Sequence, residues 1–124
     1  MKSYEELNGS IRYKGGILHI KHNHNIELNE RNMQFSIFVQ RQYTRGDKYC
    51  LLIDLRGNIT FTEGAVKLSS RNPDYQNIKC CAVIVDKGAS RAGAKLHVLI
   101  EKPNIITENF LSEKGAREWI AGFM

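Results

Sequence analysis

Two long apolar segments constrain the fold of this chain more than any other feature. One is YCLLIDL, from Tyr49 to Leu55, and the other is IKCCAVIVD, from Ile78 to Asp86. Both lack the alternation of a strand that has one solvent face, so each is predicted to be a strand covered on both faces. Parallel strands need crossover connections, so helices are expected between these strands.

Helical periodicity and capping residues do occur between the strands. The first helix is predicted to start at the cap Asn29 and to run to about Tyr43, with Phe35, Phe38, Val39 and Tyr43 on its apolar face. Three further helices are predicted at Glu63 to Arg71 after the cap Thr62, at Ser90 to Lys102, and after the cap Ser112, where Ala116, Trp119, Ile120 and Phe123 form the apolar face.

The remaining strands complete an α/β pattern. SIRYK and GILHIKHNH are joined by Gly15 and Gly16, which predicts a hairpin with a primed turn. A more polar segment, Ile106 to Phe110, is predicted to be an edge strand. The order is β-β-α-β-α-β-α-β-α, which predicts a mixed, mostly parallel sheet of five strands with four helices and right-handed crossovers. Residues 1–124 are expected to form one domain, with residues 1–9 as a flexible N-terminus.

Composition excludes several classes of protein. The longest apolar run, CCAVIV, is far shorter than the ~20 residues of a membrane helix, and the opening MKSYEELNGS lacks the apolar core of a secretory signal. We therefore expect a cytoplasmic protein without membrane insertion. The net charge of +5 is spread along the chain without a basic block, which disfavours nucleic acid as a partner. Cys50, Cys80 and Cys81 lie in apolar runs and are expected to be buried, reduced thiols.

No motif predicts catalysis or a cofactor. Nucleophile elbows, HExxH motifs and P-loops are absent from the sequence. His19, His22 and His24 suggest a metal site, but no carboxylate or cysteine lies nearby in sequence to complete the ligand set, so no metal is predicted. Asp54 is expected to bond local backbone or to pair with Arg56. These observations favour a protein that is not an enzyme.

Helix N-termini at the carboxyl ends of the strands are the best candidates for a binding surface. Free backbone amides are expected at Thr62 to Gly64 and at Gly88 to Ser90, and Arg91 and Lys95 add positive charge beside the second. Such a surface would attract an anion or a partner protein. The candidate residues are Arg56, Thr60, Thr62, Glu63, Gly88, Ser90, Arg91 and Lys95.

Three segments carry a resemblance to a known family. LLIDLRGNITFTEGA, AVIVDKGASRAGAKLHVLIEKP and TENFLSEKGAREWIAGF resemble the STAS domains, which have a SpoIIAA-like fold and include bacterial anti-sigma-factor antagonists. A subgroup of small uncharacterised bacterial proteins often has Ser-Arg after the fourth strand and Lys-Pro after the third helix, as Ser90-Arg91 and Lys102-Pro103 do here. The resemblance implies a bacterial, non-enzymatic regulatory module that binds another protein.

One position departs from the family pattern. In the anti-sigma antagonists the second helix begins Asp-Ser-Ser-Gly, and its second serine is phosphorylated. Alignment on Phe61 places Glu63 at the aspartate and Gly64 and Ala65 at the two serines. The phosphoacceptor hydroxyl is therefore missing, and Thr62, a helix cap, is a weak substitute, as is Thr60. The resemblance then implies a regulatory partner without this switch, and the edge strand or the hairpin could pair in a homodimer.

Two alternatives remain open. STAS-like folds grade into the CRAL-TRIO class, which implies a small protein that binds a lipid or another apolar ligand. The helix N-termini imply a protein that binds phosphate or another anion.

Overall fold

The computed structural model describes residues 2–6, 9–70, 76–87 and 105–124. Eight strands and three helices are assigned within these ranges. The strands are β1 (Lys2–Glu6), β2 (Gly9–Lys14), β3 (Ile17–His22), β4 (Ile26–Leu28), β5 (Tyr49–Asp54), β6 (Ile59–Phe61), β7 (Ile78–Ile84) and β8 (Thr107–Phe110), and the helices are α1 (Glu30–Thr44), α2 (Glu63–Ser70) and α3 (Glu113–Ala121).

The main sheet has the order β1-β2-β3-β5-β7-β8. The strands β3, β5, β7 and β8 are parallel, whereas β2 is antiparallel to both β1 and β3. The five predicted strands are all present, the mixed and mostly parallel arrangement is confirmed, and β8 lies at an edge as predicted. The carboxyl ends of the four parallel strands therefore meet at one edge of the sheet, which we call the carboxyl edge.

A sixth strand, β1, lies where a flexible N-terminus was expected. It pairs antiparallel with β2, from Lys2 opposite Tyr13 to Glu6 opposite Gly9. Gly9 has a φ of 141°, and a Cβ atom there would overlap the carbonyl oxygen of Lys21. The sequence KSYEE has no apolar periodicity that would predict a strand, so its conformation comes from pairing with the hairpin.

A second, two-stranded sheet was also missed. β4 and β6 pair in parallel, with Ile26 opposite Ile59 and Leu28 opposite Phe61. No strand was predicted between Leu55 and Thr62, but the turn after β5 ends before Ile59. Each of these strands has three residues, which is too short for a period of two to be recognised.

The helices cover the two faces of the main sheet. α1 and α2 pack on one face, where the core contains Leu18, Leu51 and Val83, while α3 packs on the other face against Leu52 and Ile84. The helix predicted at Ser90 to Lys102 lies outside the described residues. Among the residues that the structure describes, no helix is long and apolar enough to cross a membrane.

Local signals are confirmed at the turns and caps. Gly15 and Gly16 have φ values of 58° and 78°, as a primed hairpin turn requires. The Asn29 side chain accepts a hydrogen bond from the amide of Asn32, and the Asn32 side chain accepts one from the amide of Asn29. Ser112 caps α3 by accepting from the amide of Gly115.

The predicted apolar face of α1 is wrong for two residues. Phe38 is 60% exposed and Phe35 is 38% exposed, whereas Val39, Gln40 and Thr44 are buried. The helix is rotated so that its polar Gln40 and Thr44 face the sheet. Local hydrogen bonds permit this, because the Gln40 amide donates to Ser36 Oγ (3.0 Å) and the Thr44 hydroxyl donates to the carbonyl of Gln40 (3.0 Å).

Candidate functional site

Asp54 ends β5 at the carboxyl edge and is paired with Arg56. The guanidinium donates two hydrogen bonds to the carboxylate, from Nε to Oδ1 (3.0 Å) and from Nη2 to Oδ2 (2.7 Å), and the Arg56 amide donates a third to Oδ1 (3.1 Å). The Asp54 side chain is buried, while that of Arg56 is about one third exposed. The predicted pairing is confirmed, and it fixes the position of Arg56 on the surface.

The pairing also sets the protonation state of Asp54. Burial by itself would raise the pKa of this carboxyl, but the side-chain and backbone hydrogen bonds from Arg56 outweigh burial and lower the pKa. Hydrogen bonding to Asp54 raises the pKa of Arg56. Asp54 therefore stays ionised as the partner of Arg56, which is a poor arrangement for a general base that must accept a proton near neutral pH.

The turn after Arg56 is held by neighbouring loops. The amide of Gly57 donates to Asp86 Oδ2 (2.8 Å), and the amide of Asn25 donates to the carbonyl of Gly57 (2.7 Å). Gly57 has a φ of 99°, and a Cβ atom there would overlap the ring of His24. Because Asp86 takes the Gly57 amide, this turn does not present that amide to a phosphate.

The junction between β6 and α2 is the part of the candidate surface that the structure describes most fully. Thr62 Oγ1 accepts a hydrogen bond from the amide of Ala65 (3.2 Å), so the predicted cap is confirmed. The Thr62 amide donates to the carbonyl of Leu28 (2.9 Å), which ties the junction to β4. Thr60 and Glu63 on either side are exposed, and Glu63 pairs with Lys67 at 3.4 Å.

The two positions aligned with the family's serines are closed by packing. Ala65 is fully buried. Gly64 lies against α1, where a Cβ atom would come 3.1 Å from Glu30 Oε2 and 3.4 Å from Glu30 Cβ. Gly64, aligned with the first serine, thus has a carboxylate beside it, and Ala65, aligned with the phosphorylated serine, has no exposed side chain.

Gly88, Ser90, Arg91 and Lys95 lie outside the described residues. Among the described candidates, Arg56, Thr60, Thr62 and Glu63 all belong to the segment that joins β5 to α2.

A polar cluster on the α3 face of the sheet was not predicted from the sequence. The His19 side chain on β3 is mostly buried, and its Nδ1 lies 3.4 Å from Arg117 Nη2. Arg117 Nε donates to Glu113 Oε2 (2.9 Å), and Glu113 Oε1 lies 4.0 Å from His19 Nε2. Arginine only donates, so Nδ1 is the acceptor and the imidazole proton is on Nε2, which has no hydrogen-bond partner.

Burial and the charge of Glu113 have opposite effects on the pKa of His19. Burial lowers the pKa of His19, and the negative charge of Glu113 only partly offsets that effect. The hydrogen bond from Arg117 lowers the pKa of Glu113. The cluster therefore contains a neutral histidine and an ion pair, and it links β3 to α3. The i, i+4 spacing of Glu113 and Arg117 in the sequence is typical of an ion pair on a helix. Their contact with His19 depends on which face of the sheet α3 covers.

The other histidines and the cysteines do not form a site in the described part of the chain. No group of three or more His, Cys, Asp or Glu residues there could hold a metal ion. The three cysteines are buried and free, as expected. Burial, together with the neighbouring Cys50, raises the pKa of Cys80 to about 12, so this thiol is not activated as a nucleophile.

Comparison with solved structures identifies the fold. An uncharacterised protein of the DUF3478 family from Shewanella loihica PV-4, described as having a SpoIIAA-like fold, is similar over 88% of this chain and 89% of its own, with a TM-score of 0.66 and 14% sequence identity. The predicted SpoIIAA-like fold is thereby confirmed. No curated protein matches the chain. Residues 11–124 match a family described as a domain of unknown function, DUF7793. The chain therefore belongs to the DUF7793 family.

Proposed function

We propose that this protein is a non-enzymatic interaction module of the STAS type that binds a regulatory protein in the bacterial cytoplasm without a serine phosphorylation switch. The observation that carries the proposal is the N-terminus of α2. There Ala65 is buried and Gly64 lies against the carboxylate of Glu30. The proposal keeps the surface that the family uses for docking, but the two positions aligned with its serines have no hydroxyl, and Ala65, aligned with the phosphorylated serine, is buried.

The surrounding geometry suits docking. Thr60 and Glu63 project from a junction that is fixed by the Thr62 cap and by the pairing of β4 with β6. Arg56 is fixed by Asp54. Binding to side chains whose backbone is already ordered costs little conformational entropy, so a rigid polar surface favours recognition of another protein.

The first experiment tests docking. Glu63→Arg reverses an exposed charge beside α2 and is expected to abolish the capture of a protein partner by the tagged chain from its host. Lys114→Glu, on the exposed side of α3, is the matched control and should capture the same partner as the wild type. Equal capture by both variants would refute docking at the α2 junction.

A second measurement tests the missing switch. Intact mass of the protein purified from its host, with peptide sequencing of any phosphorylated form, should show no phosphate on residues 60 to 70. Stoichiometric phosphate on Thr60 or Thr62 would contradict the unswitched mechanism even if a partner binds.

The same mass measurement, made under native conditions, separates the alternatives. A bound lipid mass would support the lipid-binding hypothesis instead. Anion binding at α2 has less support, because the Thr62 hydroxyl already takes the Ala65 amide (3.2 Å). Chemical shifts that move around Thr62 during a phosphate titration would restore that hypothesis.

A further inference from the structure

The strand β8 forms an edge of the main sheet, and only one of its two sides is paired with another strand in the described part of the chain. On that side, two amides of β7 donate to the carbonyls of Ile106 and Phe110, both at 2.8 Å. Backbone groups alternate in direction along a strand, so the N–H and C=O groups of Thr107 and Asn109 point away from β7. No described strand pairs with these groups. An edge of this kind is a template for a further strand.

On the α3 face of β8, a charged side chain lies between two apolar ones. Ile106, Glu108 and Phe110 share this face because side chains alternate along a strand. Ile106 is 54% exposed and Glu108 is exposed, whereas Phe110 is half-buried. Among the residues that the structure describes, none forms an ion pair with Glu108. The row therefore presents an acidic group with an apolar group on either side.

A second copy of the chain is a poor partner for this edge. Two antiparallel β8 strands use all the outward groups of Thr107 and Asn109 only when Thr107 of one copy lies opposite Asn109 of the other. That register places the two Glu108 residues directly opposite each other, in the type of pair whose side chains lie closest. Like charges in that position destabilise the pairing of two strands. Glu108 therefore favours a strand that carries Lys or Arg at the opposite position.

We propose that the outer edge of β8 binds an extended segment of another protein, in which a lysine or arginine lies between two apolar residues at alternate positions. The backbone of the segment pairs with Thr107 and Asn109 and adds a strand to the sheet. Its basic side chain pairs with Glu108, and its apolar side chains lie beside Ile106 and Phe110. In such strand addition the main-chain hydrogen bonds give affinity and the alternate side chains give specificity. This surface is separate from the α2 junction, so the inference goes beyond the function proposed above.

The aromatic side chains beside β8 also favour a protein segment. The ring centroids of Phe110 and Trp119 lie 5.5 Å apart, and those of Trp119 and Phe123 lie 4.8 Å apart, so three half-buried rings continue from β8 across α3. An apolar side chain on the added strand, next to Phe110, is removed from water beside this row. Nucleic acids and anionic lipids gain less here, because Glu108 repels negative charge.

The test uses a photo-crosslinking amino acid at Leu111, in the full chain and in the native host. Leu111 follows β8 directly and is 62% exposed, and Phe38 on α1, which is 60% exposed, is the matched control position. Crosslinked peptides are sequenced, so that the chemistry of the contact is read directly. The expected product at Leu111 is a segment of another protein with Lys or Arg and an apolar residue two positions away on either side. Position 38 should not capture this segment.

Asn109→Pro tests the pairing of the backbone. Proline removes the outward N–H of residue 109 and places its ring where the added strand must lie, but it removes no hydrogen bond to β7, and edge strands tolerate proline in that position. The crosslink yield at Leu111 should fall by about tenfold. Asn109→Ala keeps the N–H and should leave the yield unchanged. Equal yields from the two variants would contradict strand addition.

Glu108→Lys tests the charge without changing the backbone. It should also reduce the yield at Leu111 by about tenfold, because it replaces attraction to a basic side chain with repulsion. Glu27→Lys, which reverses the charge of an exposed glutamate in β4, is the matched control and should leave the yield unchanged. Because Glu108 is exposed, Glu108→Lys should keep its Tm within about 2 °C of the wild type, which excludes unfolding as the cause.

Every other product contradicts the proposal. Crosslinks between two copies of the chain would assign the edge to a dimer, and a segment without Lys or Arg would contradict the pairing with Glu108. A yield at Leu111 no higher than at Phe38 would show that nothing docks on β8. If Glu63→Arg still abolishes capture of a partner in that case, docking at the α2 junction stands and only the β8 proposal fails.

Discussion

The helices α1 and α3 lie on opposite faces of the same sheet and solve the same packing problem differently. α3 buries Ala116 and Ile120 and stacks Trp119 against Phe110, with ring centroids 5.5 Å apart. α1 buries Val39 with two polar side chains, while Phe38 is mostly exposed and Phe35 is partly exposed. Sequence periodicity predicts the apolar face of α3 correctly, whereas in α1 it is right for Val39 but wrong for Phe35 and Phe38.

The difference shows when an amphipathic pattern determines the orientation of a helix on a sheet. In α3 every large apolar residue falls on one side, so a single orientation satisfies all of them. In α1 the apolar residues occupy both sides, with Phe35 and Phe38 opposite Met33 and Ile37, which are half-buried. Packing against the sheet then decides which side of α1 is buried.

The largest predicted effect concerns the core side of α3. Ile120→Ala removes a fully buried side chain between α3 and the sheet and should lower the free energy of unfolding by about 3 kcal/mol, because a cavity is left. Urea unfolding measures this as a lower midpoint at unchanged slope. A loss below about 1 kcal/mol would mean that α3 is loosely packed.

The next effect compares the caps of the two helices. Asn29→Ala should cost about 1 to 2 kcal/mol, because the hydrogen bonds between Asn29 and Asn32 are reciprocal. Ser112→Ala removes one cap bond and should cost about 1 kcal/mol. Thermal unfolding of both variants measures the two losses. A larger loss of stability for Ser112→Ala would show that the reciprocal hydrogen bonds of Asn29 and Asn32 do not stabilise α1 more than a single cap bond.

The fold was predictable where signals are local. Continuous apolar strands, the Gly15-Gly16 turn and the caps Asn29, Thr62 and Ser112 each depend on residues within four positions of one another, so the sequence contains the whole interaction. β1, β4 and β6 were missed because short strands acquire their conformation from a distant pairing partner, as β4 does from β6.

The contacts in the candidate site are likewise of two kinds, local ones that the sequence predicts and distant ones that it does not. The pairing of Asp54 with Arg56 spans two residues and was foreseen. The approach of Glu30 to Gly64 and the contact of His19 with Arg117, 98 residues away, depend on how helices pack, which spacing alone does not determine. The exposure of Phe38 on α1 was missed for the same reason.

The cluster of His19, Glu113 and Arg117, which joins β3 to α3, should make the free energy of unfolding depend on pH. Burial lowers the pKa of His19 below its ordinary value of 6.5, so near that pH the unfolded chain binds more protons than the folded chain. Stability should therefore fall as the pH decreases below about 6.5. Glu113, whose pKa is lowered mainly by Arg117, adds its own loss only at more acidic pH.

The control variant is His19→Gln, compared with the wild type by urea unfolding at several pH values between about 5 and 7.5, above the range in which Glu113 titrates. The variant should show a flatter dependence of unfolding free energy on pH. Equal slopes in both proteins would mean that His19 can be protonated in the folded state without cost.

The smallest predicted effect is on α1 and decides the comparison of the two helices. Phe38→Ala removes a larger apolar group than Ile120→Ala, yet it should change the free energy of unfolding by no more than about 0.5 kcal/mol, because most of the ring is already in water. Urea unfolding under the conditions used for Ile120→Ala gives the direct contrast. A loss near that of Ile120→Ala would show that Phe38 is buried in solution, and α1 would then have the orientation that its sequence pattern predicts. No measurable loss would show that this ring contributes little to the stability of the fold, as its exposure predicts.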